Sequence, residues 1–169
     1  LVPHRGEFFV RYAQHENAQA PTVVLLHGWT GNADINFFPV YAELAQQYSL
    51  VAIDHRGHGR GLRTNDRFTL EDCADDAVAI MDQLGLASVT AVGYSMGGPI
   101  AMLMSKRHPT RVQSLVLCAN AFEIRIAIAY DLACFVQQVL SNLCCCECCC
   151  LCICTILLTT VCCEYQHMG

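Results

Sequence analysis

The chain has 169 residues, enough for one domain with a core of its own. A formal net charge of −5, with ten Lys and Arg scattered along the chain, excludes the basic stripe that marks a nucleic-acid binder, so no nucleic-acid partner is expected. The thirteen cysteines are unevenly placed: Cys73 and Cys118 precede residue 130, and the other eleven fall between Cys134 and Cys163.

The opening stretch LVPHRGEFFV has no apolar run of signal-peptide type. A cytoplasmic location is therefore expected, with Cys73 and Cys118 as buried thiols rather than a disulfide framework. Phe8 to Tyr12 is a candidate strand. Thr22 to Leu26 is rich in β-branched residues, stops at His27-Gly28, and reads as a buried strand. A loop with Gly31, Asn32 and Asp34 follows. Val40, Leu44 and Tyr48 then fall at helical spacing and predict a helix over roughly Phe38 to Tyr48. Leu50 to Asp54 is a second buried strand, ending in the glycine-rich loop His55 to Gly61. Thr69 is an expected N-cap, with Glu71 and Asp72 in a first turn that favours carboxylates. Ala74, Val78, Met81 and Leu84 give that helix an apolar face, and Gly85 ends it. Ser88 to Val92 is a third strand, followed by the turn GYSMGG (Gly93 to Gly98), a helix from Pro99 to Arg107, and a fourth strand, Val112 to Cys118.

Continuous apolar strands alternating with helices predict an α/β domain: a mostly parallel sheet covered on both faces, with chemistry at the carboxyl ends of the strands. Three loops fall there, His27-Gly28-Trp29, Asp54 to Gly61, and Gly93 to Gly98. Within the last, Gly93-Tyr94-Ser95-Met96-Gly97 matches G-x-S-x-G. A serine on a tight strand-to-helix turn has strained dihedrals, and small residues two before and two after it relieve clashes with neighbouring backbone. A tight turn with an incidental serine is the bland alternative.

With these three loops in order, the sequence resembles the α/β-hydrolase superfamily over about residues 5 to 122. The resemblance implies that Ser95 is a nucleophile and that the backbone N–H groups of Met96 and Trp29 form an oxyanion hole. It also implies structural, loop-shaping roles for His27, Gly28, Asp54 and His58, with Gly93 and Gly97 as the small residues of the turn. The expected chemistry is hydrolysis of a carboxylic ester or related acyl bond of a small molecule, without cofactor or metal. Ser95 argues against members that use an Asp nucleophile.

The family order is Ser, then Asp or Glu, then His. Glu123 could supply the acid after the strand Val112 to Cys118, or it could be a helix start or an exposed loop. Downstream of Glu123 the sole histidine is His167, a candidate base or a tail residue. Acid and base are thus not identifiable by pattern, and activity is expected to be impaired. A non-catalytic binding or membrane-associated protein on the same fold is the alternative.

The composition changes after about residue 122, which divides the chain into a hydrolase-like core (1–122) and a Cys-rich tail (123–169). Ile124 to Leu140 could be a helix. From Cys144 to Cys154, eight of eleven residues are Cys. Thiolates are soft ligands for Zn or Cu(I), but every C-x-x-C here arises trivially from a run, and no metal site is expected. Cys148 to Cys163 is sixteen residues without a charge, short of the ~20 that span a bilayer, and acylated cysteines are a further route to a membrane. The favoured expectation is a tail that is not natively structured and replaces the C-terminal strands and helices.

Overall fold

The computed structural model describes residues 1–118. In chain order they form β1 (Val10–Ala13), β2 (Thr22–Leu26), α1 (Ala33–Phe37), α2 (Tyr41–Leu44), β3 (Ser49–Ile53), α3 (Leu70–Gln83), β4 (Val89–Tyr94), α4 (Gly97–Arg107) and β5 (Val112–Cys118). Glu123, His167, the stretch Ile124 to Leu140 and the cysteine run lie outside the described residues.

The five strands form one sheet in the order β1-β3-β2-β4-β5. β2, β3, β4 and β5 run parallel, and β1 closes one edge antiparallel to β3, with Val10 opposite Ile53. In the register, β2 sits between its parallel neighbours, Val24 pairing with Val51 on one side and Ala91 on the other. The chain thus leaves β2 in one direction to reach β3, then crosses back over β2 to β4 and β5. Such a reversal, here at the carboxyl ends of β2 and β4, is the place where open α/β sheets bind ligands.

Strand side chains alternate between two cores, as the two-residue period of a strand requires. Val24, Leu26, Val51, Ile53 and Ala91 pack with Ala74, Ala77 and Met81 of α3 and with Ile100 and Met104 of α4. Val23, Leu25, Leu50, Ala52 and Val92 pack on the other face against Phe37, Val40 and Leu44. Burying one large aliphatic side chain stabilises by about 2 kcal/mol, which is why both faces read as unbroken apolar runs.

The start of α3 is a capping box. The Asp72 N–H donates to Thr69 Oγ1 (3.3 Å), and the Thr69 N–H donates to Asp72 Oδ2 (2.7 Å). Such a cap contributes about 1 kcal/mol. Arg107, in the last turn of α4, holds both Asp75 carboxylate oxygens on α3 at 2.8 and 2.9 Å, and His108 meets the same carboxylate at 2.8 Å.

The helix expected over Phe38 to Tyr48 is broken and begins earlier. Asn32 caps α1 by accepting the Ile35 N–H at 2.9 Å. Pro39 has no N–H to continue the α-helical ladder, so Phe38–Val40 tighten into a 3₁₀ turn before α2, and Tyr48 lies beyond the last helical turn. Among the described residues no helix is long and apolar enough to cross a membrane.

Candidate active site

Ser95 is the first residue after β4, at the carboxyl end of that strand. Its φ is +50°, and His4 is the other non-glycine residue at positive φ among those described. The Ser95 N–H donates to the carbonyl of Cys118 at the end of β5, and the Gly98 N–H donates to the Ser95 carbonyl, each at 2.9 Å. These two bonds close a bend tight enough to turn strand into helix within two residues. The bend demands glycine on both sides. A Cβ on Gly93 would overlap the Gly97 carbonyl and lie 2.5 Å from the Gly98 nitrogen, and one on Gly97 would overlap the Leu26 carbonyl of β2. The left-handed dihedral at Ser95 costs an L-residue about 1 kcal/mol, so the turn is held by its surroundings rather than by local preference.

The loop after β2 passes directly over this bend. A Cβ on Gly28 would stand 3.2 Å from the Ser95 Cβ and 3.3 Å from the Tyr94 ring. His27 is fully buried, and its two ring nitrogens have fixed roles. Nε2 accepts the His55 N–H at 3.0 Å, so the proton sits on Nδ1, which donates to the Gly28 carbonyl at 2.7 Å. Burial holds the His27 pKa below its ordinary value, keeping this neutral form. The Gly28 carbonyl and the Trp29 N–H belong to one planar trans peptide, so anchoring the carbonyl aims that N–H the opposite way. Among the described residues neither the Trp29 N–H nor the Met96 N–H donates a hydrogen bond, and the Ser95 hydroxyl makes none.

The loop after β3 supports the same corner. Asp54 is fully buried and accepts the Ala33 N–H at 2.9 Å and the Arg60 N–H at 2.8 Å, tying α1 and the glycine-rich loop to the strand end. His55 is buried with no partner for Nε2, and burial, with repulsion from His27 and His58, drives its pKa well below the usual value. His58 Nδ1 lies 3.0 Å from the Arg56 carbonyl, and its ring stands edge-on to Trp29 at 5.2 Å and to His27 at 5.4 Å. Trp29 itself is exposed. No histidine among the described residues hydrogen-bonds Ser95. Nor are any three or more His, Cys, Asp or Glu among them arranged to hold a metal ion.

The structure brings Ser95, Met96, Gly28, Trp29, Gly93 and Gly97 into one corner, with His27 and Asp54 beneath them. Glu123 and His167 lie outside the described residues. Sequence reasoning missed Asn36, whose Oδ1 accepts the Gly28 N–H at 2.9 Å; a lone amide in the apolar stretch around Phe37 was the available signal. It also missed Asp76, a buried carboxylate on α3 that accepts from Arg5 Nη1 and from Nε and Nη2 of Arg56. An open cleft of about 600 Å³, lined in part by Arg5, Arg56, Arg63 and Asp66, does not include Ser95.

A sequence model described as alpha/beta hydrolase fold matches residues 21–139. The chain belongs to the α/β-hydrolase family. It is 40% identical over 96 residues to RutD of Caulobacter vibrioides, named as a carbamate hydrolase, a match covering 56% of this chain and 36% of the relative. Among solved structures, Est816, described as an N-acyl homoserine lactone degrading enzyme, is 31% identical with a TM-score of 0.60, covering 67% of this chain and 42% of that one. The enol-lactonase from Burkholderia xenovorans LB400 is 27% identical with a TM-score of 0.63, covering 68% and 44%. This member of the family therefore spans less than half the length of each of these relatives.

Proposed function

We propose that this α/β-hydrolase chain carries the nucleophile and oxyanion hole of a serine hydrolase acting on a carboxylic ester or related acyl bond of a small molecule. Ser95 Oγ attacks the acyl carbonyl, forming the Oγ–C bond. The N–H groups of Trp29 and Met96 receive the negative charge that develops on the carbonyl oxygen. Expulsion of the alcohol or amine leaves an acyl-serine, which water hydrolyses to the acid and free Ser95. The observation that carries this reading is a serine held at φ +50° under the Gly28 loop, flanked by two main-chain N–H groups that donate to nothing among the described residues. Each such donor contributes about 3 kcal/mol to stabilising the transition state. The relatives' names point the same way, since carbamates and lactones both carry a carbonyl bearing a heteroatom leaving group.

The hydroxyl proton needs a base, and Glu123 and His167 are the proposed acid and base. A second reading is favoured by one observation: no described histidine reaches Ser95, which suits a non-catalytic binding protein on the same fold. A fluorophosphonate probe separates the two. Labelling that vanishes in Ser95→Ala and falls at least tenfold in His167→Gln supports the hydrolase. Folded protein that takes no label supports the second reading.

A further inference from the structure

Among the described residues, Asn36 is the one side chain from outside the loop passing over Ser95 that bonds that loop's main chain. Its Oδ1 accepts the Gly28 N–H at 2.9 Å. The same amide lies inside the turn, because a Cβ on Gly31 would stand 3.1 Å from Oδ1 and 3.4 Å from the amide carbon and nitrogen. The Gly28 carbonyl is held separately, by His27 Nδ1–H at 2.7 Å and by the Gly31 N–H at 3.3 Å. Gly28 is therefore fixed at both of its polar atoms, by His27 on one side and Asn36 on the other. Without a side chain of its own, Gly28 has no steric preference to set its φ and ψ, so these hydrogen bonds set them. The anchor is itself anchored. Asn36 rides on α1, whose first turn is capped by Asn32 and bound to Asp54 through the Ala33 N–H.

We propose that Asn36 is a positioning residue: it fixes the peptide plane before Gly28, as His27 and the Gly31 N–H fix the one after it, and so holds Gly28 in the conformation that aims the Trp29 N–H at the space above Ser95. This rests on the hydrolase reading above for its catalytic consequence, but not for its structural one. His27 and the Gly31 N–H hold the carbonyl end of Gly28, and Asn36 holds the peptide before it. With both ends held, the Trp29 donor is in place before a carbonyl arrives, and preorganised donors are the ones that lower a barrier.

The test uses the whole chain and two variants. Asn36→Leu keeps the side chain's size and removes the acceptor, and Asn36→Asp restores an acceptor oxygen. Amide hydrogen exchange at Gly28 to Gly31 is the first readout and does not depend on activity. Asn36→Leu is expected to speed exchange of the Gly28 amide about tenfold while the amides of β2 and β4 keep their protection, and Asn36→Asp to return it to within about threefold of wild type. The second readout is the rate of fluorophosphonate labelling at Ser95, expected to fall about tenfold in Asn36→Leu and to recover in part in Asn36→Asp. Gly28 exchange within twofold of wild type in Asn36→Leu, or no rescue by Asn36→Asp, overturns the proposal. Loosening of the whole sheet in Asn36→Leu overturns it too, since the residue would then be general scaffold. If wild type takes no label, the hydrolase reading fails and the exchange data alone decide the role of Asn36.

Discussion

Adding one methyl group at Gly97 tests how closely the Ser95 bend is pressed onto the sheet. In Gly97→Ala the new carbon would overlap the Leu26 carbonyl oxygen and sit 2.6 Å from its carbon and 3.1 Å from the His27 oxygen. Carbon atoms pack at about 3.5 Å, so the carbon contact alone needs about 0.9 Å of separation between β2 and the start of α4, and the overlapped oxygen needs more. Both sides of this contact are backbone, so no side chain can swing away. The loss belongs at the upper end of overpacking costs, about 3 kcal/mol. With a urea m-value of about 2 kcal/mol/M, the midpoint should fall by about 1.5 M. Gly85→Ala is the control. Its Cβ would meet nothing within 4 Å, but φ there is +69°, so its cost is conformational alone, about 1 kcal/mol, or about 0.5 M. Urea titrations followed by circular dichroism measure both. A Gly97→Ala midpoint no lower than that of Gly85→Ala would refute the argument that steric contact with β2, rather than turn conformation, dictates glycine at position 97.

Ser95→Gly should be more stable than Ser95→Ala by about 1 kcal/mol in the same titration, because glycine relieves the left-handed dihedral and alanine retains it. Asp76→Asn should cost about 3 kcal/mol, since it strips the counter-charge from Arg5 and Arg56 in a place where the carboxylate is almost wholly buried; a loss below 1 kcal/mol would show the pair to be solvated. Stability should decline as pH falls below about 6.5. The folded pKa of His55 is depressed, so the unfolded chain takes up a proton that the folded chain refuses, at about 1.4 kcal/mol per pH unit for each such histidine. His55→Phe should reduce that slope by one proton between pH 6.5 and 5, read from urea midpoints at several pH values.

The sheet, its order of strands and helices, and the capped start of α3 were legible in the sequence because each rests on local chemistry. Val23 to Leu26 and Leu50 to Ile53 are apolar on both faces because both faces are covered. Thr69 and Asp72 are three residues apart and bond each other. The α1–α2 region departs from the single helix that the spacing of Val40, Leu44 and Tyr48 implies, because Pro39 breaks the ladder. Around Ser95, the glycines announced a cramped turn; Gly93 is cramped locally by Gly97 and Gly98, but the Leu26 atoms that cramp Gly97 belong to β2, some seventy residues earlier, and only the fold brings these together. Asn36 and Asp76 escaped for the same reason. Their partners, Gly28, Arg5 and Arg56, are specified by tertiary placement, and neither an amide nor one of several carboxylates on a helix names its partner.

The hydrogen bonds around Ser95 divide the catalytic task unevenly along the chain. The groups that shape the loop are satisfied within residues 1–118: His27 by Gly28 and His55, Asp54 by Ala33 and Arg60, Asn36 by Gly28. On the proposed reading, stabilising an oxyanion would draw on the main-chain N–H groups of Trp29 and Met96, both within these residues. Proton transfer is different. It needs a titratable side chain at Ser95, and His15, His27, His58 and His108 each bond elsewhere. An oxyanion hole with bound substrate but without a base still gives a residual acceleration of about 10³-fold over water, whereas the complete triad adds several further powers of ten. Geometry and rate thus report on different parts of the polypeptide. A Ser95 bend that forms correctly, with a labelling rate that lacks the inflection of a titrating histidine, would mean that residues 1–118 fold the site and that the base is not delivered to it.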